Sequence, residues 1–290
     1  MSENPFPKGE GKVRWISTGW LEEHLDDDIV ILDCQPNIHD YILEHIPGAV
    51  YAPEGLLRVS EFGRPGVFIP EDAVDAIFGR LGIEKGKPVV VCTGIGQSRK
   101  WGDGLEQPHW TYALARFGHD KIYVLDGGLE KWREEGRRMT KDYPSSNSSE
   151  FICEVNEDYF LDMEELKELK DKGNVILLDA RPAATYEGQG VWPKAGHIPG
   201  AVNLPWPTLM ETGNTRKLKP VEEIRRLVEA VGATEEKIVI CSCGTSREAT
   251  AEFIIFKWLL NYASVHIYEG SFSEWSSHPE NPTVIGKDPY

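Results

Sequence analysis

Ile240 to Leu260 reads ICSCGTSREATAEFIIFKWLL, and the fold turns on this stretch. An apolar, β-rich run ends at Cys241, and small residues follow with Gly244 among them. A helical pattern begins near Ser246 or Arg247, with Ala249, Phe253, Ile254 and Lys257 at helical spacing. A strand, a tight loop and a helix in that order aim several backbone N–H groups and the helix N-terminus into one small cradle. A cysteine at its rim is expected to have its thiolate stabilised and its pKa lowered. The thiolate is the nucleophile, so the pattern predicts a reactive sulfur. The competing reading is a structural cysteine packed at a strand end.

Working outward, the same order of motifs occurs twice. IVILDCQP (Ile29 to Pro36) matches VILLDARP around Leu178, and EHIPGAVY (Glu44 to Tyr51) matches GHIPGAVN (Gly196 to Asn203). KPVVVCTG (Lys87 to Gly94) matches EKIVICSC (Glu236 to Cys243), and YVLDGGLEKW (Tyr123 to Trp132) matches IYEGSFSEW (Ile267 to Trp275). The offsets are 146 for Asp33 to Asp179, 152 for His45 to His197, 149 for Cys92 to Cys241 and 143 for Trp132 to Trp275. Four ordered matches at nearly constant offset predict two homologous domains, 13–140 and 157–286. The polar, Ser-rich KDYPSSNSSE lies between them, in a linker over 141–156. PEDAVDAIFGRLG (Pro70 to Gly82) and PVEEIRRLVEAVG (Pro220 to Gly232) each open on Pro, close on Gly and keep apolar residues on one helical face. Strands alternating with such helices predict α/β domains, each with a mostly parallel sheet flanked by helices.

Composition sets outer limits. The chain has 290 residues, 40% of them hydrophobic, with 9 Trp, 10 Tyr and 10 Phe, enough for two cores. A net charge of −16 argues against nucleic-acid and anionic-membrane partners, which need a basic face. Five cysteines are too few, and odd in number, for a disulfide-stapled secreted fold. MSENPFPKGEGK carries no signal-peptide pattern and no run is apolar enough to span a bilayer, so a cytoplasmic protein is expected.

LLDARP (Leu177 to Pro182), GHIPGAVNLPW (Gly196 to Trp206), CSCGTS (Cys241 to Ser246) and EGSFSEW (Glu269 to Trp275) stand in the order found in one family. The chain resembles the two-domain rhodanese-like sulfurtransferases, which use thiosulfate or 3-mercaptopyruvate, over nearly everything after residue 12. The resemblance implies a six-residue active loop starting at the catalytic cysteine of the second domain, which would be Cys241. It also implies that Cys241 takes a sulfane sulfur from thiosulfate or a related donor as a persulfide and passes it to cyanide or a thiol. Ser242, Cys243, Gly244, Thr245, Ser246 and Arg247 would hold that anion. Asp179 and Arg181 would brace the loop, and no metal or organic cofactor is called for. The first domain would be a relative without catalytic function.

Several residues depart from the family pattern. The basic residues that often follow the cysteine are replaced by Ser242 and Cys243, and an anchoring Arg by Thr185. Each missing charge-assisted hydrogen bond is worth on the order of 1.5–3 kcal/mol, which weakens donor binding. The loop also lacks the Gly-Ser/Thr-Gly pattern associated with 3-mercaptopyruvate, so the expected enzyme is thiosulfate sulfurtransferase-like, with 3-mercaptopyruvate the less favoured donor. Cys243 either resolves an oxidised Cys241 or fills space, and Cys92 stands where the repeat places a second reactive thiol. The segment Arg99 to His109 looks inserted; Arg99 and Lys100, with Trp101 and His109, are expected to reach a cleft and replace the missing cations. His197, Trp206, Trp275 and Glu274 read as structural. Two rivals follow from the residues alone. Cys241-x5-Arg247 also fits a cysteine-dependent phosphatase, whose Arg grips phosphate. The paired thiols also fit a non-catalytic redox or persulfide sensor.

Overall fold

The computed structural model describes residues 6–61, 64–145 and 148–290. In the first half the strands are β1 (Val13–Ile16), β2 (Val30–Asp33), β3 (Ala49–Tyr51), β4 (Arg58–Glu61), β5 (Arg64–Phe68), β6 (Val89–Cys92) and β7 (Ile122–Leu125). The helices there are α1 (Thr18–Glu23), α2 (Ile38–Leu43), α3 (Glu71–Arg80), α4 (Glu106–Arg116) and α5 (Gly128–Glu134). In the second half the strands are β8 (Phe160–Leu161), β9 (Val175–Asp179), β10 (Ala201–Asn203), β11 (Met210–Glu211), β12 (Asn214–Leu218), β13 (Ile238–Ser242) and β14 (Val265–Tyr268). Its helices are α6 (Met163–Leu169), α7 (Ala183–Tyr186), α8 (Val221–Ala230), α9 (Arg247–Ile254) and α10 (Ser271–Ser277).

The chain folds as two units. The first comprises Met1–Arg58, Phe68–Asn156 and Met210–Leu218; the second comprises Val59–Val67, Glu157–Leu209 and Lys219–Tyr290. Each holds a five-stranded, all-parallel sheet, ordered β1-β7-β6-β2-β3 in the first and β10-β9-β13-β14-β8 in the second. Read from the other edge, the second order repeats the first. Central strands covered on both faces must be apolar throughout, which is why VVVC and VILLD are buried at every position. The two Pro-to-Gly helices expected from periodicity are α3 and α8, with Val74 and Phe78, and Ile224 and Val228, on their buried faces.

Strand register settles which residues of the two sheets correspond. Asp33 pairs with Cys92, whereas Asp179 pairs with Ser242. Cys34 N–H donates to the Cys92 carbonyl and Ala180 N–H to the Ser242 carbonyl. Leu129 N–H then donates to Thr93 O, as Phe272 N–H does to Cys243 O, each at 2.9 Å. The counterpart of Cys92 is therefore Ser242, and Thr93 stands where the second unit has Cys243. The pairing of Cys92 with Cys241 expected from sequence is one residue out. Among the described residues no helix is long and apolar enough to cross a membrane.

Candidate active site beyond the second central strand

Strand β13 runs through Cys241 to Ser242, so the loop begins at Cys243, two residues later than expected. Cys243 and Gly244 carbonyls are fixed from α10, by the Phe272 and Ser273 N–H groups at 2.9 and 3.0 Å. Ser246, just ahead of α9, takes a left-handed backbone with φ 61°. Its N–H donates to the Ser271 hydroxyl at 2.8 Å, and Ser271 is itself left-handed at φ 53°. A non-glycine residue held in that region costs free energy and is kept where the surrounding structure demands it. Here the two serines bend the loop back over the end of the strand.

The result is a cradle around one sulfur. The backbone N–H groups of Thr245 and Ala249 donate to Cys243 Sγ, and the Ser271 hydroxyl stands 4.0 Å from it. The Glu248 carboxylate, in the first turn of α9, also hydrogen-bonds this thiol. Cys243 is fully buried. Burial pushes its pKa well up and Glu248 pushes the same way, while the two N–H groups favour the thiolate.

Cys241 sits deeper, inside the strand, against Glu252 one helical turn beyond Glu248. Burial, then the Glu252 charge, raises the Cys241 thiol, and no backbone N–H offsets them. The sequence expectation of a lowered Cys241 pKa is therefore reversed: the cradle stabilises the sulfur two residues on. Glu252 is itself fully buried, and neither carboxylate oxygen meets an N–H or O–H donor. Burial first, and Asp179 next, hold its carboxyl well above the usual range.

Asp179 and Arg181 form a buried bidentate pair, with Nε–Oδ1 at 2.8 Å and Nη2–Oδ2 at 2.5 Å. The Arg181 guanidinium also donates to Gly196 O and lies 4.2 Å over the Phe272 ring, whose backbone fixes Cys243. Trp192 covers the loop: a Cβ on Gly244 would come within 2.5 Å of its indole. Thr185 lies in α7 with an uncharged side chain. His197 is buried, stacked on Tyr186 at 3.6 Å, with its ring nitrogens at two backbone carbonyls. Trp206 and Trp275 are buried, and Glu274 accepts from Tyr268.

Arg99 and Lys100 are exposed residues of the first unit, whereas the Cys243 loop belongs to the second. His109, expected beside them, is instead buried in α4, stacked on Phe68 at 5.2 Å. In the first unit the place of Cys243 is taken by Thr93, which donates to Cys34 O and to Glu106. Carboxylates also occupy N–H groups of that loop: Glu130 accepts from Ile95 and Asp40 from Ser98. Burial raises the Cys92 thiol well above its usual value. Among the described residues, no three His, Cys, Asp or Glu side chains group as metal ligands would.

The rhodanese-like domain model matches this chain twice, over residues 17–135 and 162–278. The chain belongs to the rhodanese-like sulfurtransferase family. A putative thiosulfate sulfurtransferase of Synechococcus elongatus is 34% identical over 96% of this chain and 87% of its own length. The sulfur carrier protein TtuD of Thermus thermophilus is 31% identical over 94% and 97%. Among solved structures, an anaerobic ergothioneine biosynthesis enzyme from Chlorobium limicola, in complex with trimethyl histidine, superposes with a TM-score of 0.82. It is 21% identical and covers 94% of this chain and 70% of that one, so it shares the fold. Sequence reasoning missed Glu248, Glu252 and Trp192. Glu252, amid the apolar residues of α9, was a legible signal, because a buried carboxylate needs a reason; Trp192 left none.

Proposed function

We propose that this tandem rhodanese protein is a sulfurtransferase whose sulfur carrier is Cys243. The observation that carries the reading is the convergence of the Thr245 and Ala249 N–H groups on Cys243 Sγ. The Cys243 thiolate attacks the outer sulfur of a sulfane donor. A bond to that sulfur forms as the donor's own bond to it breaks, and the electron pair leaves with the remainder of the donor. The persulfide then rests under the two N–H groups, as an oxyanion rests in its hole. A thiol or cyanide acceptor attacks the terminal sulfur and restores the Cys243 thiolate. The sulfur rides on the cysteine throughout, so the route calls for no metal or organic cofactor. The first unit, with Thr93 in the equivalent place, carries no sulfur in this reading.

The phosphatase alternative needed Cys241-x5-Arg247 as its loop. With Cys243 in the cradle the spacing to Arg247 shortens to three intervening residues, which does not match that motif. The test is intact-mass spectrometry after brief exposure to thiosulfate and, separately, to 3-mercaptopyruvate. The parent and Cys241→Ala are expected to gain one cyanide-removable sulfur, and Cys243→Ala none. A gain that persists in Cys243→Ala and disappears in Cys241→Ala would overturn the assignment.

A further inference from the structure

A buried thiol with a raised pKa is a poor nucleophile unless a base takes its proton as it attacks. Glu248 is placed for that. It is the second residue of α9, and its carboxylate is hydrogen-bonded to Cys243 Sγ. The arrangement is built into the fold, because the first unit repeats it: Thr93 Oγ1 donates to Glu106, in the first turn of α4, at 3.4 Å. The groups facing Cys243 are otherwise the Thr245 and Ala249 N–H groups, the Ser271 hydroxyl and, from within β13, the neutral Cys241 thiol. Glu252 and Asp179 lie behind them. Positions 242–246 carry no charged side chain, Arg247 follows them at the start of α9, and Arg181 pairs with Asp179 while its buried Nη1 meets no acceptor.

We propose that Glu248 is the catalytic proton carrier of Cys243, and that the donor it serves is a hydropersulfide rather than the thiosulfate dianion. The proposal rests on Cys243 as sulfur carrier. The balance is complete within the site. Glu248 takes the S–H proton while Cys243 sulfur bonds the outer sulfur of R–S–SH. The S–S bond of the donor breaks, its electron pair leaves on RS⁻, and Glu248 returns the proton to give RSH. Cys243 is left as the hydropersulfide, and no oxidant or reductant is consumed. A thiolate leaving group needs that proton, whereas sulfite leaves as a stable anion.

The experiment follows sulfur loading of the intact protein by rapid-mixing mass spectrometry, from about pH 5 to about pH 10. An alkyl hydropersulfide and thiosulfate are compared as donors for the parent, Glu248→Gln, Glu248→Asp and Cys243→Ala. The parent is expected to load faster from the hydropersulfide. Glu248→Gln is expected to lose roughly 100-fold in maximal loading rate near neutrality, with half-saturation unchanged, and to recover as rising pH ionises the thiol directly. Glu248→Asp should restore part of the rate, and Glu248→Gln should shift the donor ratio toward thiosulfate. An unchanged rate and pH profile in Glu248→Gln overturns the proton-carrier role. Faster loading of the parent from thiosulfate overturns the donor class. Loading of Cys243→Ala at the parent rate instead overturns Cys243 as the carrier.

Discussion

Asp33 and Asp179 end equivalent strands, and one substitution two residues on gives them different surroundings. Asp179 has the guanidinium of Arg181. Asp33 has Gln35, whose backbone and side-chain N–H groups each donate to its carboxylate at 3.0 Å. Burial outweighs these bonds and the weaker pull of Arg133, and pushes the Asp33 carboxyl from 3.8 up to about 6. The folded state therefore holds a proton that the unfolded chain releases near pH 4. The stability linked to that proton is full below about pH 4 and is lost as pH rises through about 6. Asp33→Asn carries no such loss and is expected to gain on the order of 3 kcal/mol over the parent at pH 8, but little at pH 4. Urea unfolding at the two pH values checks it, and a gain equal at both would rule out titration as the cause.

At the scale of elements, the site is made by two helix starts meeting one strand end. Backbone N–H groups of α10 fix the carbonyls of Cys243 and Gly244, and Ser271 at its start accepts from Ser246. Trp192, in the stretch between α7 and β10, lies over Gly244 and packs edge-on against Phe272 at 6.2 Å. This cover explains how a residue at a loop start is fully buried. Trp192→Ala is expected to raise alkylation of Cys243 by iodoacetamide about tenfold, since thiol reactivity follows access as well as pKa. Peptide mapping separates it from Cys153, which is half-buried. If the Cys243 rate does not move, the indole is not what limits access.

At the scale of the molecule, the first unit includes Met210–Leu218, far along the chain from the rest of it. That hairpin supplies Leu218 N–H to the Asp126 carboxylate at 2.8 Å and Asn214 to the Gly127 carbonyl at 2.9 Å. Asp126 is buried. A fragment ending at Asn156 keeps the first sheet and the Lys8–Asp126 pair at 4.0 Å but loses the Leu218 and Asn214 bonds, each worth roughly 0.5–3 kcal/mol. Such a fragment is expected to unfold at lower urea than the same unit in the intact chain, and addition of the 210–218 peptide should recover part of the loss. Equal midpoints would show that the hairpin adds nothing to the unit.

Much of this was legible in the residues. Continuous apolar runs such as VILLD cannot be solvated on either face, so they dictate buried parallel strands, and the twofold order of motifs dictates two domains of one kind. What spacing could not decide was which cysteine the loop holds. Side chains two apart along a strand point to the same side, so Cys241 and Cys243 both face α9 and look equivalent on paper. The difference lies in where β13 stops and where the Thr245 and Ala249 N–H groups turn, and only the folded backbone fixes those directions. It puts one sulfur under donors and the other against a buried carboxyl, because a thiolate needs hydrogen bonds that the interior of a strand, with its N–H groups already paired across the sheet, has none left to give.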